Sequence, residues 1–415
     1  MEVWATAAEP LHSATHIILL AQRTNVLFLK KWFPRCHQPG IIKKPTPEWG
    51  KPTRFILKTF LFHRMTTTAS IIDDKRYNML IDWLSHHADK HHLKLDAISR
   101  ASTDASFRRY FRLQTTTGNT IIAMDAPPEQ ENSAPFVHVT NLLNANGLRV
   151  PILFEQDLSQ GFLLIEDLGT QTYYHAIQQG LSNEQLQELY RAAIQTLVKM
   201  QQTAVAGLPV YDKKRLLDEL TLFEQWYVIR HKKQQLNDEE RQQLQSLFKQ
   251  LVNHNVQAAN VFVHRDYHSP NLIIADTNGL QHAPGVIDYQ DALVGPITYD
   301  IASLVMDART TWDEAQQLDW AIRYWEAARA ANLPVPEDFA EFHQAYEWMS
   351  LQRNLRVLGV FSRLSYRDNK HQYLDHLPRV NAYIRQVARR YQPFGPLLRI
   401  LNRLDNITVS TGYTF

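Results

Sequence analysis

The sequence predicts an α+β fold of two lobes, a small β-rich lobe followed by a larger, mainly helical one. Three observations predict it. Short, broadly alternating apolar runs cluster between residues 107 and 165. Beyond residue 169, apolar residues recur at helical spacing near 183–203, 213–231 and 238–255 and through most of 298–391. Within that helical part, short β-rich pieces return between 261 and 288. A chain of 415 residues has room for two such units, because single cores stop growing near ~250–300 residues.

The elements follow in chain order. Residues 1–64 carry ten Lys and Arg against three Glu, a net +7, while the rest of the chain carries −5 and the whole +2. This basic extension is expected to be disordered or not native, with Met65 a plausible start. It holds the only cysteine, Cys36, so no disulfide can form within the chain, which fits a reducing cytoplasm. Its apolar run His16–Ala21 is too short to span a bilayer and lacks the flanks of a secretory signal. With 44% hydrophobic and 21% charged residues, the composition is that of a soluble globular protein. The small net charge gives no footprint for nucleic acid or membrane.

Residues 65–168 are expected to form the first lobe. Tyr77, Leu80, Ile81 and Leu84 predict a helix from Ile72 to His87. His86, His87, His91 and His92 have no acidic or thiol residue in a ligand spacing, so they read as a solvated helix end. Phe107–Gln114 and Thr120–Asp125, joined through Gly118-Asn119, predict a β-hairpin. A helix Ala134–Ala145, stopped by Asn146-Gly147, and strands Pro151–Phe154 and Gly161–Ile165 complete the lobe. The lobes would join at Glu166-Asp-Leu-Gly169, with 169–415 forming the second.

The strongest chemical signal is His264-Arg265-Asp266-Tyr267-His268-Ser269-Pro270-Asn271, in a loop between two short strand-like runs. Phosphoryl transfer accounts for these residue types. A carboxylate such as Asp266 can orient a hydroxyl and accept its proton. Magnesium takes oxygen ligands, which Asn271 can offer. A second carboxylate, Asp288, follows a short apolar strand and is placed to reach the same ion. His264 reads as a scaffold bracing the loop.

These residues, with Ile287-Asp288 and Tyr299-Asp300, resemble the aminoglycoside phosphotransferase family over roughly residues 75–390. The resemblance implies a two-lobed, protein-kinase-like fold with ATP or GTP in the cleft. It implies Asp266 as catalytic base, Asn271 and Asp288 as Mg²⁺ ligands, and Asp300 as brace of the catalytic loop. A protein kinase normally has Lys two residues after the catalytic Asp; here the position is His268. Further segments are similar to the bacterial N-acetylmuramate/N-acetylglucosamine anomeric kinases of cell-wall recycling. They include Thr103-Asp-Ala-Ser-Phe-Arg-Arg-Tyr-Phe-Arg112, Ala123-Met-Asp-Ala-Pro-Pro-Glu129, Leu164-Ile-Glu-Asp-Leu-Gly169 and Gln352-Arg-Asn-Leu-Arg356. That group phosphorylates a sugar at its anomeric hydroxyl.

The nucleotide side departs from the pattern. The turn expected over the phosphates, Ser102–Phe107, has no glycine, leaving Ser102, Thr103 and Ser106 as donors. Met124 stands where a third-strand lysine is expected, so Arg108 or Arg109 would supply the cation. Backbone groups at Glu166 and Leu168 would meet the purine edge. Tyr267, His268, Asp291, Arg353 and Asn354 are candidates for the acceptor. An arginine on the helix predicted at Glu341–Phe361 could pair with a muramate-type carboxylate. The aromatics Phe342, Tyr346 and Trp348 read as core. Alternatives are a kinase of aminoglycosides, choline or homoserine, or a nucleotide-binding regulator without catalysis. A protein kinase is disfavoured, since neither Asp-Phe-Gly nor Ala-Pro-Glu occurs.

Overall fold

A computed structural model describes residues 74–102, with only the backbone of Ser102, and residues 107–274 and 283–407. The basic extension, Cys36, Thr103 and Ser106 lie outside the described residues. Helix α1 (Lys75–His91) opens on Asp74, whose carboxylate accepts from the amides of Arg76 and Tyr77. It runs one turn past the predicted end and stops where His92 turns left-handed.

An antiparallel sheet follows, ordered β1 (Leu93–Ser102), β2 (Arg109–Thr115), β3 (Thr120–Asp125), β5 (Phe162–Glu166) and β4 (Leu153–Asp157). Strand β1 was not legible in the sequence. It is an edge strand whose polar face is open, so its apolar alternation is weak. Both faces of β3 are covered. Ile121 and Ala123 meet Leu80, Trp83 and Leu84 of α1. Ile122 and Met124 turn to the other face, toward Phe136 of α2 (Ala134–Ala145). Met124 is therefore a core residue. Helix α2 has no acidic residue that could pair with a lysine at that point.

The chain leaves the sheet at Glu166 and becomes helical: α3 (Tyr173–Gln179), α4 (Asn183–Gln201), α5 (Lys213–Leu222) and α6 (Asp238–Asn255). The stretch read as one helix over 213–231 changes to a π-helix at Phe223–His231. Two short ribbons then carry the polar loops. β6 (Asn260–Val263) pairs with β9 (Leu293–Pro296), and β7 (Leu272–Ile273) with β8 (Gly285–Val286). Helices α7 (Tyr299–Val305), α8 (Glu314–Ala330), α9 (Phe339–Asp368), α10 (Leu377–Ala388) and α11 (Gly395–Leu404) complete the fold. Phe342, Tyr346 and Trp348 are buried in the core. Gly359 lets α9 press on α5, since a Cβ there would stand 2.5 Å from the carbonyl carbon of Leu222. Among the described residues no helix is long and apolar enough to cross a membrane.

Candidate active site

Ribbon β6–β9 delivers the polar loop, and α7 fixes it. Asp300, fully buried on α7, accepts from the amides of His264 at 2.7 Å and Arg265 at 3.0 Å. Those two bonds hold Arg265 at φ +76°, a conformation that needs such support. The buried His264 ring ties the loop to the segment carrying Asp288. Its Nδ1 accepts from the Asp266 amide at 3.3 Å, and its Nε2 lies 3.1 Å from the Ile287 carbonyl. Burial holds its pKa down at about 4. The ring is neutral, with the proton on Nε2, and it serves as a brace.

Asn271 closes the arrangement. Its amide nitrogen donates to the Asp266 carbonyl at 2.9 Å and to the Asp288 carboxylate at 3.2 Å. Asp288 itself sits at φ +65°, held by the residue after it. Tyr289 is buried against Phe136, with ring centroids 5.3 Å apart, and its hydroxyl shares a hydrogen bond with Thr140. Asp266, Asn271 and Asp288 thus meet on one side of a cavity of about 670 Å³.

Charge around Asp266 is strongly positive. Desolvation pushes its pKa up, but the guanidinium charges of Arg356, Arg265 and Arg353 outweigh it and hold the carboxyl far below its ordinary range. Arg265 and Arg356 share one counter-ion, Glu219 of α5. Burial, then the charge of Arg309, holds His268 at about 4, so this ring is neutral too. Asp300 goes the other way: burial raises it to about 7.

The cavity is lined by Asp266, His268, Asn271 and Asp288, by Glu166 and Leu168 at the lobe junction, and by Arg353. The Glu166 side chain is turned aside into a two-point pair with Arg149 at 2.6 and 2.7 Å. Arg112 fixes the same junction by pairing with Asp167.

Other expected residues are placed elsewhere. Arg109 is not a cation available to phosphate: it is ion-paired with Asp74 and Asp125, the latter fully buried and also bound by Arg76. Arg108 pairs with Glu131 at 3.1 Å and feels the charge of Asp288. Tyr267 points into the core and donates to the Ala193 carbonyl at 2.8 Å, so it is not an acceptor contact. Asp291 is exposed and Asn354 is buried behind the cavity wall, its amide 4.0 Å from the Met306 sulfur. Sequence reasoning missed Arg309, which lines the cavity over the rings of Phe361 and Tyr373 at 5.7 and 6.0 Å. It also missed Glu219 and Asp307, the latter a buried carboxylate accepting from the Ser269 amide at 3.1 Å. Contacts 46 and 38 residues apart leave no local pattern to read.

The phosphotransferase enzyme family matches residues 97–342. An N-acetylmuramate/N-acetylglucosamine kinase of Neisseria meningitidis is 41% identical over 317 residues, covering 76% of this chain and 93% of the relative. A kinase of the same description from Pseudomonas aeruginosa is 43% identical over 305 residues, covering 73% and 87%. Among solved structures, a choline kinase from Streptococcus pneumoniae aligns with a TM-score of 0.51 at 13% identity, over 74% of this chain and 99% of that one. This last likeness bears on the fold alone.

Proposed function

Since the chain belongs to the phosphotransferase enzyme family, we propose that it transfers the γ-phosphate of ATP to an amino sugar. The acceptor is the anomeric hydroxyl of N-acetylglucosamine and of N-acetylmuramate, as part of cytoplasmic cell-wall recycling. The observation that carries this reading is the convergence of Asp266, Asn271 and Asp288 at one cavity wall. The relatives named above supply the sugar.

Asp266 orients the sugar hydroxyl and accepts its proton. It is ionised at every working pH, because the surrounding guanidinium charge stabilises the carboxylate. The donor set fits magnesium: one carboxylate and one amide oxygen, both hard ligands, with the remaining positions left to phosphate oxygens and water. Asp288 and the Asn271 carbonyl oxygen would hold it, and when bound it neutralises the phosphates. Asn271 spends its nitrogen on Asp266 and Asp288, which aims its oxygen at the ion. Backbone groups at Glu166 and Leu168 receive the base. Ile122 and Ile165 of the sheet line the cavity near that junction and supply an apolar surface for it.

The test is a coupled nucleotide-turnover assay with Mg²⁺ on N-acetylglucosamine, N-acetylmuramate, kanamycin and choline, with phosphorus NMR of the product. Turnover of the two N-acetyl sugars to an anomeric phosphate is the expected result. Turnover of kanamycin or choline alone would keep the chemistry and overturn the sugar. Nucleotide binding without turnover of any acceptor would favour a regulator.

A further inference from the structure

Arg353 is 2% exposed, and its Nε and Nη1 atoms have no hydrogen-bond partner. It lines the cavity, and its charge acts on both Asp266 and His268. A guanidinium cannot shed its proton, so a buried one with idle donors is costly until an anion arrives. Two anions could answer it. One is the phosphoryl group in flight, the other a carboxylate on an acidic sugar.

The chemistry of the acceptors decides between them. The relatives' name covers one neutral sugar and one acidic sugar. A buried guanidinium dedicated to a carboxylate would stay unpaired when the neutral sugar bound, and the pocket would reject that sugar steeply. The phosphoryl group is common to both. Arg309 contrasts with Arg353. It is only half-buried and rests on Phe361 and Tyr373, so it can remain hydrated when no carboxylate is present. The position two residues after Asp266, where a protein kinase has lysine, holds the neutral His268, and the charge of Arg353 reaches that place from α9. Arg353 also lies beyond the end of the family match at residue 342.

We propose that Arg353 is a catalytic residue that stabilises the transferring phosphoryl group beside Asp266. The proposal rests on the phosphotransferase reading above. In the step, the bond from the γ-phosphorus to its bridging oxygen breaks and the nucleoside diphosphate leaves with that electron pair. The sugar oxygen forms the new bond to phosphorus, and its proton passes to Asp266. The guanidinium of Arg353 donates to the non-bridging oxygens during the transfer.

The experiment compares wild type, Arg353→Gln and Arg353→Lys on N-acetylglucosamine and N-acetylmuramate. Calorimetry measures affinity for Mg²⁺–ADP, alone and with aluminium fluoride plus N-acetylglucosamine, which mimics the phosphoryl group in flight. For Arg353→Gln, kcat should fall on both sugars by a similar factor of about 10²–10³. Both KM values and ADP affinity should stay within a few-fold, while the extra affinity conferred by aluminium fluoride is lost. Arg353→Lys should recover part of kcat, since it keeps the charge without the planar fork. It decides the matter alone if the glutamine variant does not fold. A loss confined to N-acetylmuramate would overturn the proposal in favour of a carboxylate site, and unchanged kcat would leave Arg353 structural. Failure of wild type on both sugars would strike the functional reading instead.

Discussion

Asp300→Asn is the substitution in which structure and activity are most tightly joined. The Asp300 carboxylate is fully buried and accepts from two successive amides, at 2.7 and 3.0 Å. An asparagine keeps one acceptor oxygen and turns an NH₂ group toward the second amide. One buried N–H then loses its partner, at a cost of about 1–3 kcal/mol. Arg265, at φ +76°, loses part of what holds it there, and Asp266 is the next residue. A shift of about 1 Å at such a group can cost roughly 10²-fold in rate. Urea unfolding and kcat are to be measured at pH 8, above the Asp300 value of about 7, where the wild-type carboxyl is charged. The expected result is a loss of about 1–3 kcal/mol in stability together with at least a tenfold loss of kcat, with Mg²⁺–ADP affinity kept. A variant with wild-type stability and kcat would refute the bracing role.

The remaining expectations follow from the same geometry. His264 and His268, held at about 4 by burial, bind a proton more weakly in the folded than in the unfolded state. Their contribution is whole above pH ~6.5 and is lost as pH falls toward 4, at up to about 1.4 kcal/mol per pH unit for each ring. Asp300 is raised, so its contribution runs oppositely: present in acid and lost as pH rises through about 7. Urea midpoints should therefore fall from pH 6.5 to pH 4.5, and fall more steeply in Asp300→Asn. A midpoint that rises on acidification would contradict this. Gly359→Ala places a Cβ 2.5 Å from backbone carbon of Leu222. It should cost about 1–3 kcal/mol by overpacking, seen as a lower Tm. Met124→Lys would bury a charge where α2 offers no carboxylate. It should destabilise the fold rather than improve nucleotide use, and a rise in kcat/KM for ATP would contradict that.

The two-lobed order was legible because each lobe has its own apolar period, and the helix Ala134–Ala145 was read to the residue. The edge strand β1 and the four-residue β9, which contains Gly295 and Pro296, were not, because neither carries a buried alternation long enough to register. In the site, Asp266, Asn271 and Asp288 could be read because their types and spacing lie within one stretch. What each side chain faces could not. Arg109 looked like a free cation, but its carboxylates lie 35 and 16 residues away in the sequence. Tyr267 adjoins Asp266, yet the backbone turns it into the core. Arg353 could be placed on a helix, but only the packing of α9 reveals that its Nε and Nη1 atoms are buried without a partner.

The most direct test of the central claim is single-turnover phosphoryl transfer from Mg²⁺–ATP to N-acetylglucosamine in wild type and Asp266→Asn, with Mg²⁺–ADP affinity measured in parallel. The account predicts rapid transfer in the wild type, a fall of about 10²–10⁴-fold in the variant, and unchanged nucleotide affinity. Equal transfer rates in the two proteins would contradict it.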